Sequence, residues 1–533
     1  MQFRPTKLAL LTLTALLALT PAHAPAQTQV ESNLPGAGFD TPDTPTSAPT
    51  IQVYSRETIV DVLVTDDKGH PVHGLSRSDF TISEDGNPRP IRSFSEYNKD
   101  APSPPPRPLL PNTFTNAHTL PAGGPVQVFL LDIMRTSQAD MVIAKSEIAK
   151  YLRSMPAGTQ IVVFALSPSR GLLLLQGFTT DGAAAAETLL KLDPEWLRNP
   201  PKVDPIAALN QIAAYVAGVR GRKNLIWVTP TPLMITRDGG YSWGGPTDMT
   251  YVHRLMDIYD LFTREQIAVY PFDPRGVPAP GSNGAPRALG RGNLVDEEVA
   301  QATGGAAIYN NNDFKSAVAK IVDDTSHFYT LSYIPPRPND DGHYHTIKIA
   351  VDRRGLHLVY RGGYNDEHPA PPDAVLKLHM TQDSMGLGAL PATQLVFDLQ
   401  VTPSPAPAPQ AAPAKASRRA LPVPGKSRVS YDLIFKLSQT QITFATTPDG
   451  MRTATLEFDL AAYDADAKAI GVRSQTLKLP LTLEEYQDFI RTPFQFYLSI
   501  DLPPGQTTLR AGVFDAVSNN AGTLEIPLTV PGK

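Results

Sequence analysis

Between residues 125 and 326, apolar residues come in short unbroken runs separated by stretches in which they recur every three or four positions. The runs are VQVFLLD at 126–132, QIVVFAL at 160–166, GLLLLQ at 171–176, NLIWVT at 224–229 and IAVYPF at 267–272. Runs this short, bounded by turn residues, predict strands buried on both faces. Met141, Ile148, Leu152 and Met155 share one helical face, stopped by Pro156-Ala157-Gly158. Ile206, Leu209, Ile212, Ala213 and Val216 share a second face, and Leu255, Ile258, Tyr259 and Phe262 a third. Asp181 is placed to cap an Ala-rich helix. Helices at 293–303 and 313–325, with a short strand at 306–309, complete the pattern. Strands alternating with helices imply one α/β domain with a mostly parallel sheet covered on both faces.

On either side of this domain the period changes to two. IQVYSRETIVDVLVTDD opens a β module over 51–98, with further short strands expected at Val72–Leu75, Phe80–Ser83 and Ile91–Tyr97. FYTLSYIPP, HTIKIAVDRR and LHLVYRGGY make a second β segment over 327–364. Each is too small to bury a core alone, so the two are expected to pair into one sandwich-like domain. Residues 99–124 hold seven prolines and read as an extended linker. Residues 370–533 carry many alternating segments and predict a C-terminal β-sandwich, interrupted by a Pro/Ala-rich loop at 403–426.

Composition adds a compartment. Arg4 and Lys7, the apolar run Leu8–Leu19 and the small residues Ala24-Pro25-Ala26 read as a signal peptide over 1–26, cut between Ala26 and Gln27. Residues 27–50 are a polar, Pro-rich lead-in expected to be disordered. The apolar run is too short to favour a membrane span, and no later stretch has that length. The expected location is therefore secreted or periplasmic, with no integral membrane segment after cleavage. The chain has no cysteine, which excludes disulfides, thiol catalysis and Cys-based zinc sites. A net charge of −5 gives no sign of a nucleic-acid partner.

Candidate chemistry is sparse. No Gly-rich phosphate loop, HExxH or GxSxG occurs. Asp66-Asp67 and Glu84-Asp85 lack the spacing of a calcium loop and read as turn residues. His343 and His345 share a strand face, but no third ligand is evident, and exposed strand residues are expected. Trp227 belongs to a strand; Trp196 and Trp243 lie in loops and are candidate partner contacts. Glu484 and Glu485 are a paired carboxylate, the basis for a hydrolytic or carbohydrate-active alternative. They also begin a helical stretch, where acids are expected.

Several motifs taken together carry a resemblance. They are TDDKGHPVHGLSRSDFTISEDG at 65–86, VFLLDIM at 128–134, QGFTTD at 176–181, RKNLIWVTP at 222–230 and IAVYPFDPRG at 267–276. ATGGAAIYNNNDF at 302–314, with FYTLSY and VYRGGY, completes the set. Residues 125–325 resemble a von Willebrand factor type A domain, and the wider chain resembles the acidobacterial VWFA-related group. The resemblance implies a Rossmann-like fold whose top carries a metal-ion-dependent adhesion site. Such a site is built from an Asp-x-Ser-x-Ser turn, a later threonine and a later aspartate around magnesium. Here Asp132 holds the first position, Met134 replaces the first serine, Thr136 stands for the second, and Ser137 follows. Asp204 is a candidate for the threonine's place; the last loop, Val228 to Pro232, has no aspartate, and Asp238 lies further on. A thioether is no ligand for a hard cation. The expectation is an exported, non-enzymatic adhesion or scaffold protein with no catalytic residues, no cofactor and a degenerate metal site. It would bind a protein or cell-surface ligand through a face containing Asp132, Arg135, Thr136, Ser137, Thr231 and Trp243. The alternative is a Mg2+-dependent module with Asp132 and Thr136 as ligands. If no metal binds, Asp132 is expected to cap the following helix or bond loop amides.

Overall fold

The side chains of Val126–Asp132 are all buried, and the apolar ones divide between two cores. Val126, Val128 and Leu130 enter one apolar cluster, Phe129 and Leu131 the other. A strand covered on both faces needs no polar alternation, which explains the unbroken run. The computed structural model describes residues 57–98, 108–117, 125–168, 170–192, 204–219, 221–230, 249–277, 297–335, 344–365, 384–404, 428–447 and 450–532. The expected signal peptide and lead-in, most of the Pro-rich stretch, the loop 405–426 and Trp196, Thr231, Asp238, Trp243 and His343 lie outside these residues.

The chain opens with β1 (Thr58–Asp66), β2 (Phe80–Glu84), β3 (Asn87–Arg89) and β4 (Ser93–Asn98). Val72–Leu75, expected as a strand, is a loop instead, fastened by hydrogen bonds to the Tyr329 hydroxyl. Next comes β5 (Thr113–Thr115), inside the stretch expected to be linker. The segment is an edge strand because Phe114 packs on the C-terminal core and the backbone pairs with Asp398–Gln400.

The central domain follows: β6 (Val126–Asp132), α1 (Gln138–Ser154), β7 (Ile161–Ser167), β8 (Gly171–Thr179), α2 (Gly182–Leu190), α3 (Pro205–Val216), β9 (Lys223–Val228), α4 (Met249–Arg264), β10 (Ile267–Phe272), α5 (297–303) and α6 (Phe314–Asp324). The sheet order is β10-β9-β6-β7-β8. All neighbours are parallel except β8, which turns back on β7 as a hairpin. Counted from β6, the order is 5-4-1-2-3, a doubly wound Rossmann-type arrangement. A parallel bridge between Phe272 and Ile308 extends it by one position. Helices α3, α4 and α5 cover one face, and α1, α2 and α6 the other. Asp181, Asp204 and Asp313 cap α2, α3 and α6 through their carboxylates.

Return of the chain to β structure adds β11 (His327–Tyr333), β12 (Tyr344–Val351), β13 (Leu356–Val359) and β14 (Gly363–Asn365). These join the opening strands in two sheets, β13-β1-β11-β4 and β14-β12-β2-β3, around Val62, Phe80, Tyr329 and Ile349. The chain leaves this sandwich after β4 and re-enters it at β11, with the central domain inserted between. The C-terminal sandwich contains β15 (Phe397–Pro403), β16 (Val429–Leu437), β17 (Ala445–Thr446), β18 (Arg452–Asp464), β19 (Ala469–Leu481), the short helix α7 (Leu483–Phe489), β20 (Phe494–Leu502), β21 (Gly505–Asp515) and β22 (Ala521–Val530). Its sheets are β20-β16-β15-β5 and β17-β18-β21-β22, with β19 also on β18, packed about Phe397, Phe435 and Phe458. It meets the central domain where Thr393 bonds the carbonyls of Ala214 and Tyr215 at the end of α3. No helix among the described residues is long and apolar enough to cross a membrane.

Candidate functional site

In an open α/β sheet the crevice for a ligand lies beyond the carboxyl ends of the strands, where the strand order reverses. Here that point is between β6 and β9. Leu131 lies beside Val228 in register, so Asp132 and Thr229 end their strands side by side. The Thr229 hydroxyl donates to Asp132 Oδ2 at 3.2 Å. Arg135, three residues on in the same loop, donates to that oxygen from its guanidinium, also at 3.2 Å. Asp132 is completely buried, and Arg135 is only partly exposed. Asp132 Oδ1 and Thr136 Oγ1 are buried without a hydrogen-bond partner of normal geometry among the described residues. Burial pushes the Asp132 carboxyl above the usual carboxylate range, against the opposing pull of Arg135, Thr229 and the nearby amides of Arg135 and Met134.

A second carboxylate stands at the end of β10. Asp273 is buried, and the Arg275 guanidinium grips both its oxygens at 2.7–3.1 Å while also donating to the Pro230 carbonyl at 2.7 Å. Asp132 and Asp273 therefore each have a guanidinium supplied from their own loop. Sequence reading gave Asp273 and Arg275 no role, although both lie in the motif at 267–276. The signal was available: an arginine two residues after a strand-ending aspartate.

The expected residues separate on this geometry. Asp132, Arg135 and Thr136 come together. Ser137 is the N-cap of α1, accepting from the Asp140 amide at 3.2 Å, so it and not Asp132 caps that helix. Met134 packs against the apolar cluster under α3 and α4. Asp204 caps α3 and pairs with Arg254, which removes it from the threonine's place. Val142 and Ile143, on the outer side of α1 near its start, are 58% and 57% exposed, a pair of large apolar side chains presented to solvent.

The family's magnesium site needs several hard oxygens and an uncompensated negative charge. Among the described residues of this face, Asp132 Oδ1 and Thr136 Oγ1 are the oxygens left unengaged; the other Asp132 oxygen is bound by Arg135, and Pro230 offers no side-chain oxygen.

Two other expectations change. His345 is buried, not an exposed strand residue: its Nδ1 lies 2.7 Å from Asp85 Oδ2, and its ring packs beside Tyr364. Glu84, next to Asp85, is buried and takes the Tyr364 hydroxyl at 3.0 Å, so this acidic pair fastens β2 to β12 and β14. Glu485 completes a capping box on α7, accepting from the Thr482 amide at 2.7 Å, and this holds its carboxyl below the usual range. A general acid needs the opposite shift. Trp227 is a core residue, as its strand position implied.

No protein-family model matches the sequence, and no curated protein matches it. Solved structures do. An aerotolerance-related membrane protein from Bacteroides fragilis, carrying multiple mutations to serine, is 20% identical over 38% of this chain and 99% of its own, with a TM-score of 0.27. BatB from Bacteroides thetaiotaomicron is 18% identical over the same shares, with a TM-score of 0.26. A von Willebrand factor type A protein from Catenulispora acidiphila is 11% identical over 58% of this chain and 75% of its own, with a TM-score of 0.27. At these scores the likenesses add nothing to the strand order. The doubly wound sheet with its helices on both faces makes the central domain a Rossmann-like α/β domain, flanked by two β-sandwich-type domains.

Proposed function

We propose that this is an exported, non-enzymatic interaction protein that binds a protein or cell-surface ligand through the top face of its A-type domain, without a functional metal-ion-dependent adhesion site. The observation that carries the reading is Arg135 on buried Asp132, a tethered cation where the family's metal would provide the charge. The exposed Val142 and Ile143 supply apolar area beside that face, and aromatic or aliphatic anchors surrounded by polar groups are what protein interfaces use. The partly exposed edge of Arg135, with Thr231 and Trp243 from the later loop, makes the proposed contacts, while buried Thr136 does not. The β-sandwiches present this face.

The test is capture of a partner from envelope extract by the mature chain, with and without a chelator. Capture is expected to survive chelation and to drop at least about tenfold in the double variant Val142→Asp/Ile143→Asp, since losing two interface anchors costs about 1.4 kcal/mol or more. Capture that is unchanged in that variant, and equally unchanged by Arg135→Glu, overturns the assignment of the face.

A second reading is favoured by one observation. The unpartnered oxygens of Asp132 and Thr136 are the two ligands a magnesium-dependent module would retain. In that case capture collapses on chelation and returns with magnesium.

A further inference from the structure

Away from the top face, one cluster draws side chains from three distant parts of the sequence. His73 lies in the loop between β1 and β2, Glu96 on β4, and His327 at the start of β11. β4 and β11 are antiparallel neighbours, with His327 opposite Asn98 and Glu96 opposite Tyr329. Glu96 and His327 therefore share a face of the sheet as diagonal neighbours.

The loop is built onto this face. The Tyr329 hydroxyl accepts from the Leu75 amide at 3.1 Å and donates to the Val72 carbonyl at 2.9 Å. The Gly74 amide donates to Glu96 Oε1 at 2.9 Å. Gly74 has φ +69°, a left-handed turn conformation that glycine adopts without strain. The turn sets the His73 ring 3.9 Å from that of His327, centroid to centroid. One ligand atom from each of His73, Glu96 and His327 lies within 4.8 Å of the others.

His327 is the informative member. It is 2% exposed, and neither ring nitrogen makes a hydrogen bond of normal geometry among the described residues. Glu96 Oε1 lies 3.0 Å from its Nε2 but outside hydrogen-bond geometry, so it does not satisfy that nitrogen. A buried nitrogen left this way is costly unless something else engages it. Burial, with His73 adding to it and Glu96 opposing, holds the imidazole pKa below its ordinary value.

We propose that His73, Glu96 and His327 form a zinc site with three protein ligands and a solvent-facing fourth position. Two imidazoles and one carboxylate are a donor set that zinc accepts in tetrahedral geometry, whereas magnesium and calcium take oxygen cages. Tetrahedral zinc at about 2.0 Å from each donor sets its ligand atoms about 3.3 Å apart. The exposed side chains of His73 and Glu96 make that adjustment around fixed His327. The metal would join the loop after β1 to the strand that follows the inserted domain, clamping the two halves of the split sandwich.

The test is calorimetric titration of the tag-free, chelator-stripped full chain with zinc chloride, alongside a thermal shift. One equivalent is expected to bind and to raise the melting temperature. His73→Ala and Glu96→Gln, both at exposed positions, should each weaken zinc binding at least about tenfold, as loss of a ligand does. Circular dichroism should show both variants folded. Cobalt should give the visible bands of a four-coordinate site in wild type and lose them in His73→Ala. Asp85→Asn, in the separate His345 cluster, should leave the zinc affinity unchanged. No zinc uptake overturns the proposal. So does uptake that survives in both His73→Ala and Glu96→Gln, or uptake that Asp85→Asn removes. Partner capture by His73→Ala should remain at the wild-type level, which separates failure of this site from failure of the top-face assignment.

Discussion

Arg135→Ala is expected to lower the unfolding free energy of the central α/β domain by about 3 kcal/mol at pH 7, the low end of the cost of breaking a buried ion pair because Arg135 is partly exposed. The variant leaves fully buried Asp132 with only the Thr229 hydroxyl on its Oδ2. The pH dependence gives the effect a signature. Burial already raises the folded pKa of Asp132 above its unfolded value. Such a group binds more protons folded than unfolded, so the fold loses stability as pH rises from the unfolded pKa through the folded one. Removing Arg135 raises the folded pKa further, which widens that window and deepens the loss. The gap between wild type and variant should therefore be full at neutral pH and close in acid, where Asp132 is protonated in both. Denaturant titrations at a series of pH values, followed by tryptophan fluorescence, measure it. A gap that is small at pH 7, or independent of pH, means Arg135 does not neutralise Asp132.

Asn224→Leu should cost more, about 4 kcal/mol, because several buried polar groups lose their partners at once. At the end of the sheet opposite the candidate site, Asn224 is the hub of a buried network. Its Oδ1 accepts from Arg222 Nε at 3.2 Å. Its Nδ2 donates to Gln127 Oε1 at 3.1 Å and Thr325 Oγ1 at 2.7 Å. Arg222 continues to the Tyr270 hydroxyl at 3.0 Å and the Gly304 carbonyl at 2.6 Å. The network ties β6, β9 and β10 to the ends of α5 and α6, and its members are all buried. Leucine has the volume but none of the bonds. The same denaturant titration reads the loss. Adding Gln127→Leu should cost less than the sum of the single changes, since the second substitution removes a group the first has already orphaned. Strict additivity would mean that Gln127 and Asn224 do not act as a unit.

The α/β domain was legible because its signal is local. Seven consecutive buried residues in β6 and the apolar faces of α1 and α3 each declare their element within one window. What escaped depends on partners far away in the chain. Phe114 sits in a Pro-rich stretch, and only the facing strand at Leu399 makes its neighbours a strand. Val72–Leu75 has strand composition, but Glu96 on β4 and Tyr329, from the far side of the inserted domain, hold it as a loop. The candidate site was half legible. Asp132, Met134 and Thr136 were visible as departures from a known turn. Arg135 was counted as a surface contact, while its guanidinium turns inward onto Asp132. His345 looked exposed because strand alternation does not reveal which face another sheet covers; Asp85 and Tyr364 supply that cover.

Under the proposed function, the top of the central domain works with the Arg135 guanidinium in place of a metal. Calorimetry of the tag-free, chelator-stripped mature chain with magnesium chloride up to millimolar concentration tests it most directly. No binding heat and no change in melting temperature are expected. Saturable magnesium binding that is abolished by Asp132→Ala would contradict it.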